Sequence, residues 1–540
     1  MKTSKVGRLK KRHRLLRFSR IVCQSGCAGL FVFLFLNTDY SGSDTIEYAV
    51  NILFRIDPLL AFCAMLGVRA VIALMLPALL TLVFTLIFGR AFCGWICPMG
   101  TLLDLLHPVL PPTHKGSATL YPRFATILLL FLLVSAALKL PLVGYFDPFS
   151  ILVRGMVQAL YPAINFITVS FFSFTYSQAP EAVNLVTEPF YSFLKSVFLP
   201  FEQKYYDLAF LSLFMIVAVF GLELVQRRFF CRNICPLGAL LGWFARLGLL
   251  RLKGGGDECG ECRRCSSVCR MGAVDEKRRI STDSCSLCME CLEQCPRQII
   301  SFALPGSGLS GTGVSLSRRQ FIGTLSTGLL LPPVLGVRSA NARKNPDLIR
   351  PPGALPEDEF LQRCVRCAEC IQVCIGNALQ PSLLQAGFEG IFSPRLAART
   401  GYCEFNCTLC GQVCPTGAIR ELTLSAKHTT KIGHAWFDRN ICLPYAKGIP
   451  CIVCEEHCPT PDKAIKFRSA VVYNDRGIQV EVKQPYIVDE LCIGCGICET
   501  KCPLPGRSAI YITSGGEHRD PENVLPRGGM AGGSVSYSKN

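Results

Sequence analysis

The sequence has few charged side chains and lacks the common motifs for bound organic cofactors. Charged residues make up only 18% of the chain and apolar residues 50%, a balance that is lean for a soluble protein and indicates a membrane part. No C-x-x-C-H motif occurs, so covalently attached haem is not indicated. Fingerprints for nucleotides, flavin and molybdopterin are also missing. These absences argue against a reductase with a substrate pocket of its own.

Acidic side chains are absent from residues 1–20, which hold nine of the 56 Lys and Arg residues. A basic segment of this kind can bind nucleic acid. Here a hydrophobic run follows at once, and the positive-inside rule explains the segment better as a cytoplasmic anchor. We therefore expect the membrane as a partner, and no nucleic acid.

Four apolar runs approach the roughly 20 residues that are needed to cross a bilayer. They lie at 21–37, 69–89, 122–140 and 207–225. Because the chain starts in the cytoplasm, four crossings return it there. The long segment 141–206 is rich in Phe and Tyr, and we expect it to be an outer loop with interfacial helices.

The second and fourth runs each lead into a copy of one sequence repeat. The motif Arg-x-x-Cys-x-x-x-Cys-Pro-x-Gly-x-Leu-Leu occurs at 90–103 and again at 228–241, and Asp57-Pro and Asp147-Pro lie upstream. An acid at a membrane boundary is costly without a role, so both Asp residues are candidate proton acceptors near the outer face. The alternative is an Asp-Pro turn that caps a helix. We predict two similar two-helix units.

Each copy of the repeat contains a C-x3-C pair, which lies on one helix face because the two residues are four apart. The pairs are Cys93 with Cys97 and Cys231 with Cys235. They are either redox thiols or the ligands of one metal centre on which the two copies converge, and the sequence leaves both interpretations open. We interpret Cys23, Cys27 and Cys63 as small buried apolar residues.

Most of the 31 cysteines stand in tight runs of four, which is the spacing of iron–sulfur ligands. In a two-cluster ferredoxin, three closely spaced thiolates bind one cluster and the fourth binds the other, whereas zinc sites need two pairs. The first two runs are Cys259, Cys262, Cys265 and Cys269, then Cys285, Cys288, Cys291 and Cys295. Cys295 is expected to complete the first cluster and Cys269 the second.

Four further runs follow in the second half of the chain. They are Cys364, Cys367, Cys370 and Cys374; Cys403, Cys407, Cys410 and Cys414; Cys442, Cys451, Cys454 and Cys458; and Cys492, Cys495, Cys498 and Cys502. Insertions in the second and third of these runs leave the last two intervals unchanged. The sequence therefore predicts six 4Fe-4S clusters, which with four ligands each use 24 of the 31 cysteines.

A twin-arginine export signal is predicted between the two groups of runs, at 317–342. Arg318 and Arg319 begin it, an apolar run follows, and Ala340-Asn341-Ala342 fits a cleavage site. A buried helix that happens to contain Arg-Arg is the alternative. Because this route exports folded proteins, the preceding part should lie in or behind the membrane and the following part outside.

The predicted fold is an α-helical membrane domain of four spans, or five if the signal persists as an anchor, joined to α+β domains of the bacterial ferredoxin kind. The segments are a membrane domain (1–250), a cytoplasmic two-cluster module (251–303), a linker with the signal or anchor (304–342), a periplasmic four-cluster domain (343–512) and a disordered tail (513–540). The expected location is a bacterial inner membrane, with two clusters in the cytoplasm and four in the periplasm.

Two known families share these features. Residues 1–300 resemble the NapH/MauN membrane ferredoxins in their four spans, two C-x3-C-P motifs and two-cluster module. Residues 315–511 resemble the NapG/MauM periplasmic ferredoxins in the signal, in Arg350-Pro-Pro-Gly-Ala-Leu-Pro-Glu, in Cys442-Leu-Pro with Cys451-x2-Cys454, and in Cys492-Ile-Gly-Cys495-Gly. The two families are usually separate chains, and their fusion here favours an uncleaved anchor over cleavage after Ala342.

The resemblance implies a quinol dehydrogenase that passes electrons from membrane quinol to a periplasmic cytochrome or respiratory reductase of the nitrate-reductase type. It also implies that the first and last of the four later runs interleave, as do the middle two. In that arrangement Cys502 joins Cys364, Cys367 and Cys370; Cys374 joins Cys492, Cys495 and Cys498; Cys458 joins Cys403, Cys407 and Cys410; and Cys414 joins Cys442, Cys451 and Cys454. The alternative function is a redox factor for the maturation of a periplasmic or membrane metalloenzyme, without quinol turnover.

Overall fold

The computed structural model describes residues 2–40, 42–113, 120–121, 123–178, 180–200, 202–254, 259, 262–303, 317–342, 345–474, 476–521 and 523. Most of the predicted linker (304–316) and the end of the predicted tail (524–540) lie outside these residues. The helices of the first half are α1 (Lys2–Asn37), α2 (Asn51–Arg55), α3 (Pro58–Val68), α4 (Ala78–Phe88), α5 (Phe92–Trp95), α6 (Pro98–Leu106), α7 (Phe124–Ala137), α8 (Pro148–Gly155), α9 (Tyr161–Gln178), α10 (Glu181–Val197), α11 (Ala209–Gly221) and α12 (Pro236–Ala245).

Shorter elements accompany the cysteine runs. The helices are α13 (Arg264–Ser267), α14 (Glu290–Gln294), α15 (Arg318–Ala342), α16 (Glu357–Arg363), α17 (Glu369–Gln372), α18 (Leu409–Gln412), α19 (Leu424–Thr429), α20 (Val453–Glu456) and α21 (Ile497–Lys501). The strands are β1 (Arg251–Lys253), β2 (Ser301–Ala303), β3 (Leu379–Pro381), β4 (Pro394–Leu396), β5 (His434–Phe437), β6 (Ile465–Tyr473), β7 (Gln479–Ile487) and β8 (Ile510–Thr513). They form antiparallel pairs β1–β2, β3–β4, β5–β8 and β6–β7.

The membrane part uses one arrangement twice, in agreement with the sequence repeat. In each copy, a helix (α1 or α7) leads to an Asp-Pro helix (α3 or α8), then to an apolar helix (α4 or α11), and then to a cysteine motif that opens a short helix (α6 or α12). Proline occupies the first turn of α3, α6, α8 and α12, where no N–H donor is needed. The predicted two-helix unit missed the Asp-Pro helix because α3, with 11 residues, is too short to resemble a span.

By length and composition, three helices in the described part of the chain can cross a membrane: Lys11–Asn37, Ala73–Trp95 and Pro148–Gln178. The first two overlap predicted spans. The third lies within the segment 141–206, which the sequence analysis predicted to be an outer loop with interfacial helices. Arg154 and Gln158 interrupt its apolar character, but a π-helical turn at Met156–Leu160 keeps the helix continuous.

The other two predicted spans are shorter helices than expected. The run 122–140 forms α7 with 14 residues, and the run 207–225 forms the apolar helix Ala209–Leu224. Each is below the roughly 20 residues of a full crossing, because the flanking residues leave the helix to contact the cysteine-rich parts. The prediction of four full-length spans is therefore not confirmed.

The long helices connect two cysteine-rich bodies, a small cysteine module (residues 262–303) and a large cysteine domain (residues 345–521). Near the middle of α1, Arg17 pairs with Glu293 of the small module at 2.7 Å. Near its end, the carbonyl of Phe35 accepts a hydrogen bond from Gln372 of the large domain at 2.8 Å. At about 1.5 Å per helical residue, these contacts lie roughly 27 Å apart. The two bodies therefore contact the two ends of the apolar second half of α1.

The helix Ala73–Trp95 also contacts both cysteine-rich bodies, one near each of its ends. Leu74 packs against Gly417 of the large domain, and the Trp95 indole donates to the carbonyl of Leu287 in the small module at 3.0 Å. Apolar side chains cover the flank between these ends, for example Leu80, which is 70% exposed, and Phe210 on α11, which is 88% exposed. A surface of this kind is stable against lipid rather than water.

Helix α15, which begins at the twin arginines, packs along α7. Arg123, just before α7, donates to Gln320 near the start of α15 at 3.3 Å. Farther along, a Cβ on Gly328 would lie 2.9 Å from Val134, so glycine allows the two helices to approach closely. The predicted signal therefore forms a helix against the membrane part, between the two cysteine-rich bodies.

One structural unit recurs three times in the chain, each time as two cysteine runs between paired backbone segments. In the small module the paired segments are β1 and β2, with Leu252 opposite Phe302. In the first half of the large domain the paired segments meet at the single bridge between Ala354 and Ile419. In the second half the paired segments are β5 and β8. Each pairing closes a local unit, as expected for ferredoxin-like folds.

The segment after β8 folds back onto the large domain, which corrects the prediction that 513–540 is wholly disordered. Ser514 donates its N–H to the carbonyl of Pro346 at 2.9 Å. Arg519 pairs with Glu357 at 2.6 Å, and Glu357 also pairs with Arg350 at 2.5 Å. The carboxylate of Glu357 thus joins the lead-in segment to the end of the domain, a contact that Gly- and Ser-rich composition does not reveal.

We expect Glu357→Gln to destabilise the large domain by about 3 kcal/mol, because it leaves two arginines without their shared carboxylate. The pKa of Glu357 is lowered from its ordinary 4.5 to about 2 because Arg350 and Arg519 outweigh the effect of burial. This stabilisation is complete above pH 4.5 and is lost as the pH falls towards 2. The measurement is thermal unfolding of the wild-type and variant chains in detergent between pH 3 and pH 7. The control is Glu359→Gln, which removes a partly exposed carboxylate that pairs with Arg363 on the same helix. An equal Tm for wild type and Glu357→Gln at pH 7 would contradict this account.

Candidate functional site

The small module assembles two sets of four cysteines. Cys265 interacts electrostatically with Cys259, Cys262 and Cys295, which defines the first module set. Cys291 interacts with Cys285, Cys288 and Cys269, which defines the second module set. Cys295 thus joins the set of the first run and Cys269 joins the set of the second run, which is the grouping that the sequence predicts.

The large domain assembles four sets, each lining an apolar cavity of 350 to 410 Å³. The first domain set is Cys364, Cys367, Cys370 and Cys414; the second is Cys374, Cys403, Cys407 and Cys410; the third is Cys458, Cys492, Cys495 and Cys498; and the fourth is Cys442, Cys451, Cys454 and Cys502. None of these cysteines forms a disulfide. Four free thiols around one apolar cavity are the donor set that a 4Fe-4S cluster needs.

The observed sets correct the interleaving that the family resemblance implied. Cys414 completes the set of the first run and Cys374 that of the second, so the first two runs interleave with each other. The last two runs do the same, through Cys502 and Cys458. The physical reason is local closure: the Ala354–Ile419 bridge encloses the first two runs, and the β5–β8 pair encloses the last two.

Iron content distinguishes the two pairings. If Cys367 and Cys414 ligate one cluster, the double variant Cys367→Ala, Cys414→Ala should lose about four irons per chain, like either single variant. The matched double variant Cys414→Ala, Cys454→Ala should lose about eight, because it removes ligands from two clusters. The measurement is iron and acid-labile sulfide per chain in anaerobically purified protein. The reverse pattern would restore the pairing implied by the resemblance.

The four domain sets follow one another in space. Cys370 of the first set interacts with Cys410 of the second, and the N–H of Cys403 in the second donates to the carbonyl of Cys495 in the third at 2.9 Å. Cys498 of the third set interacts in turn with Cys454 of the fourth. The first set lies against the membrane part, and the fourth is the farthest from it along this series.

Asp57 and Asp147, predicted as proton acceptors or helix caps, meet in the interior. Each caps its helix with one oxygen: Oδ1 of Asp57 accepts from Leu59 N–H at 2.7 Å, and Oδ2 of Asp147 accepts from Ser150 N–H at 2.8 Å. The second oxygens find no other partner in the described part of the chain. Instead the two carboxyl groups interact with each other, and both residues are completely buried.

The environment of this carboxyl pair favours protonation. Burial raises the pKa of both groups, and the neighbouring Asp147 carboxyl raises the pKa of Asp57 further. Two carboxylates in contact cannot both ionise in a low dielectric, so the pair retains a shared proton at neutral pH. Capping needs one oxygen per residue, so it does not explain why the two carboxyl groups lie together.

The backbone of the first domain set packs against the helix that Asp147 caps. Ser150, in the first turn of α8, donates its hydroxyl to the carbonyl of Val365 at 3.2 Å. The turn before Asp147 approaches even more closely, since a Cβ on Gly144 would lie 2.3 Å from the Val365 oxygen. Val365 is flanked by Cys364 and stands two residues before Cys367. The backbone between two cluster ligands therefore touches the helix that carries Asp147.

Buried arginines fix this contact, and the sequence analysis missed them. Arg154 donates to the carbonyls of Gly144 at 3.0 Å and Arg366 at 3.3 Å. Arg366 donates in return to the carbonyl of Pro141 at 2.7 Å. Arg154 was detectable in principle, because an ionisable residue inside an apolar stretch marks a specific contact.

A buried carboxyl group was missed as well. Glu369, inside the first run of the large domain, is completely buried, and its two oxygens lack a hydrogen-bond partner among the described residues. It lies near Arg55 and Cys367, and burial raises its pKa well above the ordinary value. A third protonatable group thus stands beside the first domain set.

The two C-x3-C pairs of the repeat also come together. Cys97 interacts with both Cys93 and Cys231, and Cys235 interacts with Cys231 and Cys93. All four are buried and free of disulfides. Cys63 lies elsewhere, near the carboxyl pair, while Cys23 and Cys27 are neighbours on α1 and only partly buried.

Sets of four thiols within ferredoxin-like units define a ferredoxin-type iron–sulfur electron-transfer protein, and the candidate spans add a membrane part. A family described as "4Fe-4S binding domain" matches residues 70–112, 208–253 and 410–439. The methylamine utilization ferredoxin-type protein MauM of Methylorubrum extorquens is 37% identical over 32% of this chain and 78% of its own length. The chain belongs to the family of ferredoxin-type proteins that includes MauM and NapG.

Other relatives support this assignment. The ferredoxin-type protein NapG of Escherichia coli is 33% identical over 32% of this chain and 72% of its own length. The ferredoxin-type protein NapF of the same organism is 32% identical over 33% of this chain and 93% of its own length. No solved structure matches the chain.

Proposed function

We propose that this protein oxidises quinol within the membrane part and delivers the electrons singly to the large cysteine domain, for a periplasmic cytochrome or reductase to collect. The observation that carries the proposal is the buried carboxyl pair of Asp57 and Asp147, because the helix that Asp147 caps contacts the backbone of the first domain set at Val365. Quinol oxidation releases two protons and two electrons. The site must therefore accept protons beside a one-electron acceptor, which is what bound iron–sulfur clusters supply.

The carboxyl pair suits the proton half of this reaction. A group that accepts a proton from quinol needs a pKa near the working pH, and mutual burial moves both carboxyls towards that range. Glu369 offers a further protonatable group on the side of the large domain. Cys63, close to both aspartates, and Arg154, close to Asp147, are further ionisable neighbours.

The proposed topology places the small module in the cytoplasm and the large domain in the periplasm. The nine basic residues before position 21 stand on the side of the small module, as the positive-inside rule requires. In this arrangement α1, Ala73–Trp95, α7 and Ala209–Leu224 carry the chain across. Helix α15 leads it back to the periplasm as an uncleaved anchor, joining a NapH/MauN-type part to a NapG/MauM-type part.

The test is reduction of the purified full-length chain by a quinol analogue in detergent, without oxygen, followed by low-temperature EPR. We expect reduced 4Fe-4S signals to appear with quinol, with a matched dithionite sample defining the full signal. Clusters that dithionite reduces but that stay oxidised with a range of quinols would refute the proposal. The maturation-factor alternative would then be the better interpretation.

A further inference from the structure

The four cysteines of the sequence repeat form a site that the ferredoxin-like units do not include. We propose that Cys93, Cys97, Cys231 and Cys235 together bind one additional 4Fe-4S cluster inside the membrane part. Two ligands come from each copy of the repeat, so that neither copy forms a site alone. This inference stands independently of quinol oxidation.

The first argument is the convergence of the thiols. Cys231 interacts with Cys93 across the two copies, and Cys97 and Cys235 each interact with both of them. All four side chains are 5–7% exposed and unpaired. Isolated buried cysteines need no such grouping, because a thiol packs as a small apolar residue wherever space allows.

The second argument is the exchange of arginines between the copies. Arg90 of the first copy donates to the carbonyl of Cys231 at 3.0 Å, and Arg228 of the second donates to the carbonyl of Cys93 at 3.1 Å. Each guanidinium thereby holds the cysteine loop of the opposite copy. The paired arrangement fixes both loops around a common centre.

The arginines that cross between the copies also explain why the motif contains a glycine. A Cβ on Gly238 would lie 2.0 Å from the Arg90 guanidinium, and a Cβ on Gly100 would lie 2.8 Å from the Cys93 carbonyl and 3.3 Å from the Arg228 guanidinium. Side chains at these positions would displace the arginines. The shared site therefore explains four positions of the repeated motif: the Arg, the two Cys and the Gly.

The third argument is charge. Arg90 is 6% exposed, its Nε has no hydrogen-bond partner in the described part of the chain, and it forms no ion pair with a carboxylate there. It lies beside Cys93, Cys231 and Cys235. A buried cation without a carboxylate requires other negative charge nearby. Thiolates bound to a metal centre supply that charge, whereas neutral thiols or disulfides do not.

Backbone groups complete the ligand environment. Cys97 and Cys235 stand at the N-caps of α6 and α12, where the helix favours thiolate over thiol. The Sγ of Cys235 accepts a hydrogen bond from the N–H of Gly238 at 3.3 Å. Among the described residues no group of metal-ligating side chains is drawn together tightly enough for a single metal ion.

The site lies between the second module set and the carboxyl pair. On one side, a Cβ on Gly94 would lie 2.5 Å from the carbonyl of Ser286, between two ligands of the second module set. On the other side, the ring of Phe92 meets Phe149 at 6.2 Å, and Phe149 meets Phe54 at 6.4 Å. Phe149 stands two residues after Asp147. A cluster here would occupy the interval between the small module and the large domain.

The test is iron and acid-labile sulfide per chain in full-length protein purified without oxygen. We expect about 28 irons for the wild type rather than about 24, and a loss of about four in Cys93→Ala, Cys235→Ala. The matched control is Cys63→Ala, another buried cysteine, which should keep the wild-type content.

A second measurement covers the case in which the double variant does not fold. The native wild-type chain is treated anaerobically with an alkylating reagent, before and after iron is removed by a chelator, and the labelled cysteines are mapped by mass spectrometry. All four cysteines should resist labelling before chelation and become labelled after it, as the ferredoxin-like ligands do, whereas the buried Cys63 should not respond to chelation. Mössbauer spectra should contain the intensity of a seventh cluster. About 24 irons, with the four cysteines labelled as free thiols or recovered as disulfides, would overturn the proposal.

Discussion

Replacing either aspartate of the carboxyl pair by asparagine is expected to slow quinol-dependent reduction by about 100-fold or more, the range lost when a proton acceptor is removed. Asparagine caps a helix about as well as aspartate, so α3 and α8 should persist in Asp57→Asn and Asp147→Asn. Only the shared proton site is lost. The measurement is the rate at which a quinol analogue bleaches cluster absorbance in the anaerobic full-length chain.

Two controls separate this effect from structural damage. Dithionite reduction should be unchanged in both variants, because it does not use the carboxyl pair. Asp207→Asn, which removes a half-exposed carboxylate paired with Arg395, should keep the wild-type quinol rate, since exposed ion pairs contribute little. A wild-type quinol rate in both Asp57→Asn and Asp147→Asn would show that the pair only caps helices.

Gly144→Ala should uncouple the first domain set from the membrane part. The new Cβ would lie 2.3 Å from the carbonyl oxygen of Val365, so the turn before Asp147 or the first cysteine run must move. A displacement of about 1 Å at a reacting site can cost about 100-fold in rate. We expect a loss of this size in quinol-dependent reduction, with the dithionite-reducible cluster content retained.

The matched control is Gly221→Ala at the end of α11, where a Cβ would meet no atom within 4 Å. This variant should keep both the quinol rate and the cluster content. If Gly144→Ala reduces its clusters with quinol as fast as Gly221→Ala, the contact between Gly144 and Val365 has no part in the reaction.

Local spacing predicted the ferredoxin-type iron–sulfur class of the protein, because a run of four cysteines is a short-range property of the chain. The six cysteine runs can be found by their intervals alone. Which run supplies the fourth ligand depends on the strands that enclose the runs. The Ala354–Ile419 bridge is a single backbone contact between irregular segments, and no residue pattern announces it, so Cys414 was assigned to the wrong partners.

Membrane helices were predicted where they resemble uniform apolar runs, as in α1. The long helix Pro148–Gln178 was not predicted, because Arg154 interrupts its apolar character. That arginine is buried against Gly144 and Arg366 rather than exposed to lipid. Asp57 and Asp147 were recognisable as unusual acids, but their contact joins residues 90 positions apart, and only the packed structure brings them together.

The most direct test of the proposed quinol site is photo-crosslinking of an azido-quinone to the full-length chain, followed by peptide mapping. We predict labelling of peptides around Asp57, Asp147 and Val365, displaced by excess unlabelled quinol and reduced in Gly144→Ala but not in Gly221→Ala. Labelling at the small-module end of the membrane helices, or labelling that quinol does not displace, would contradict a quinol site at the carboxyl pair.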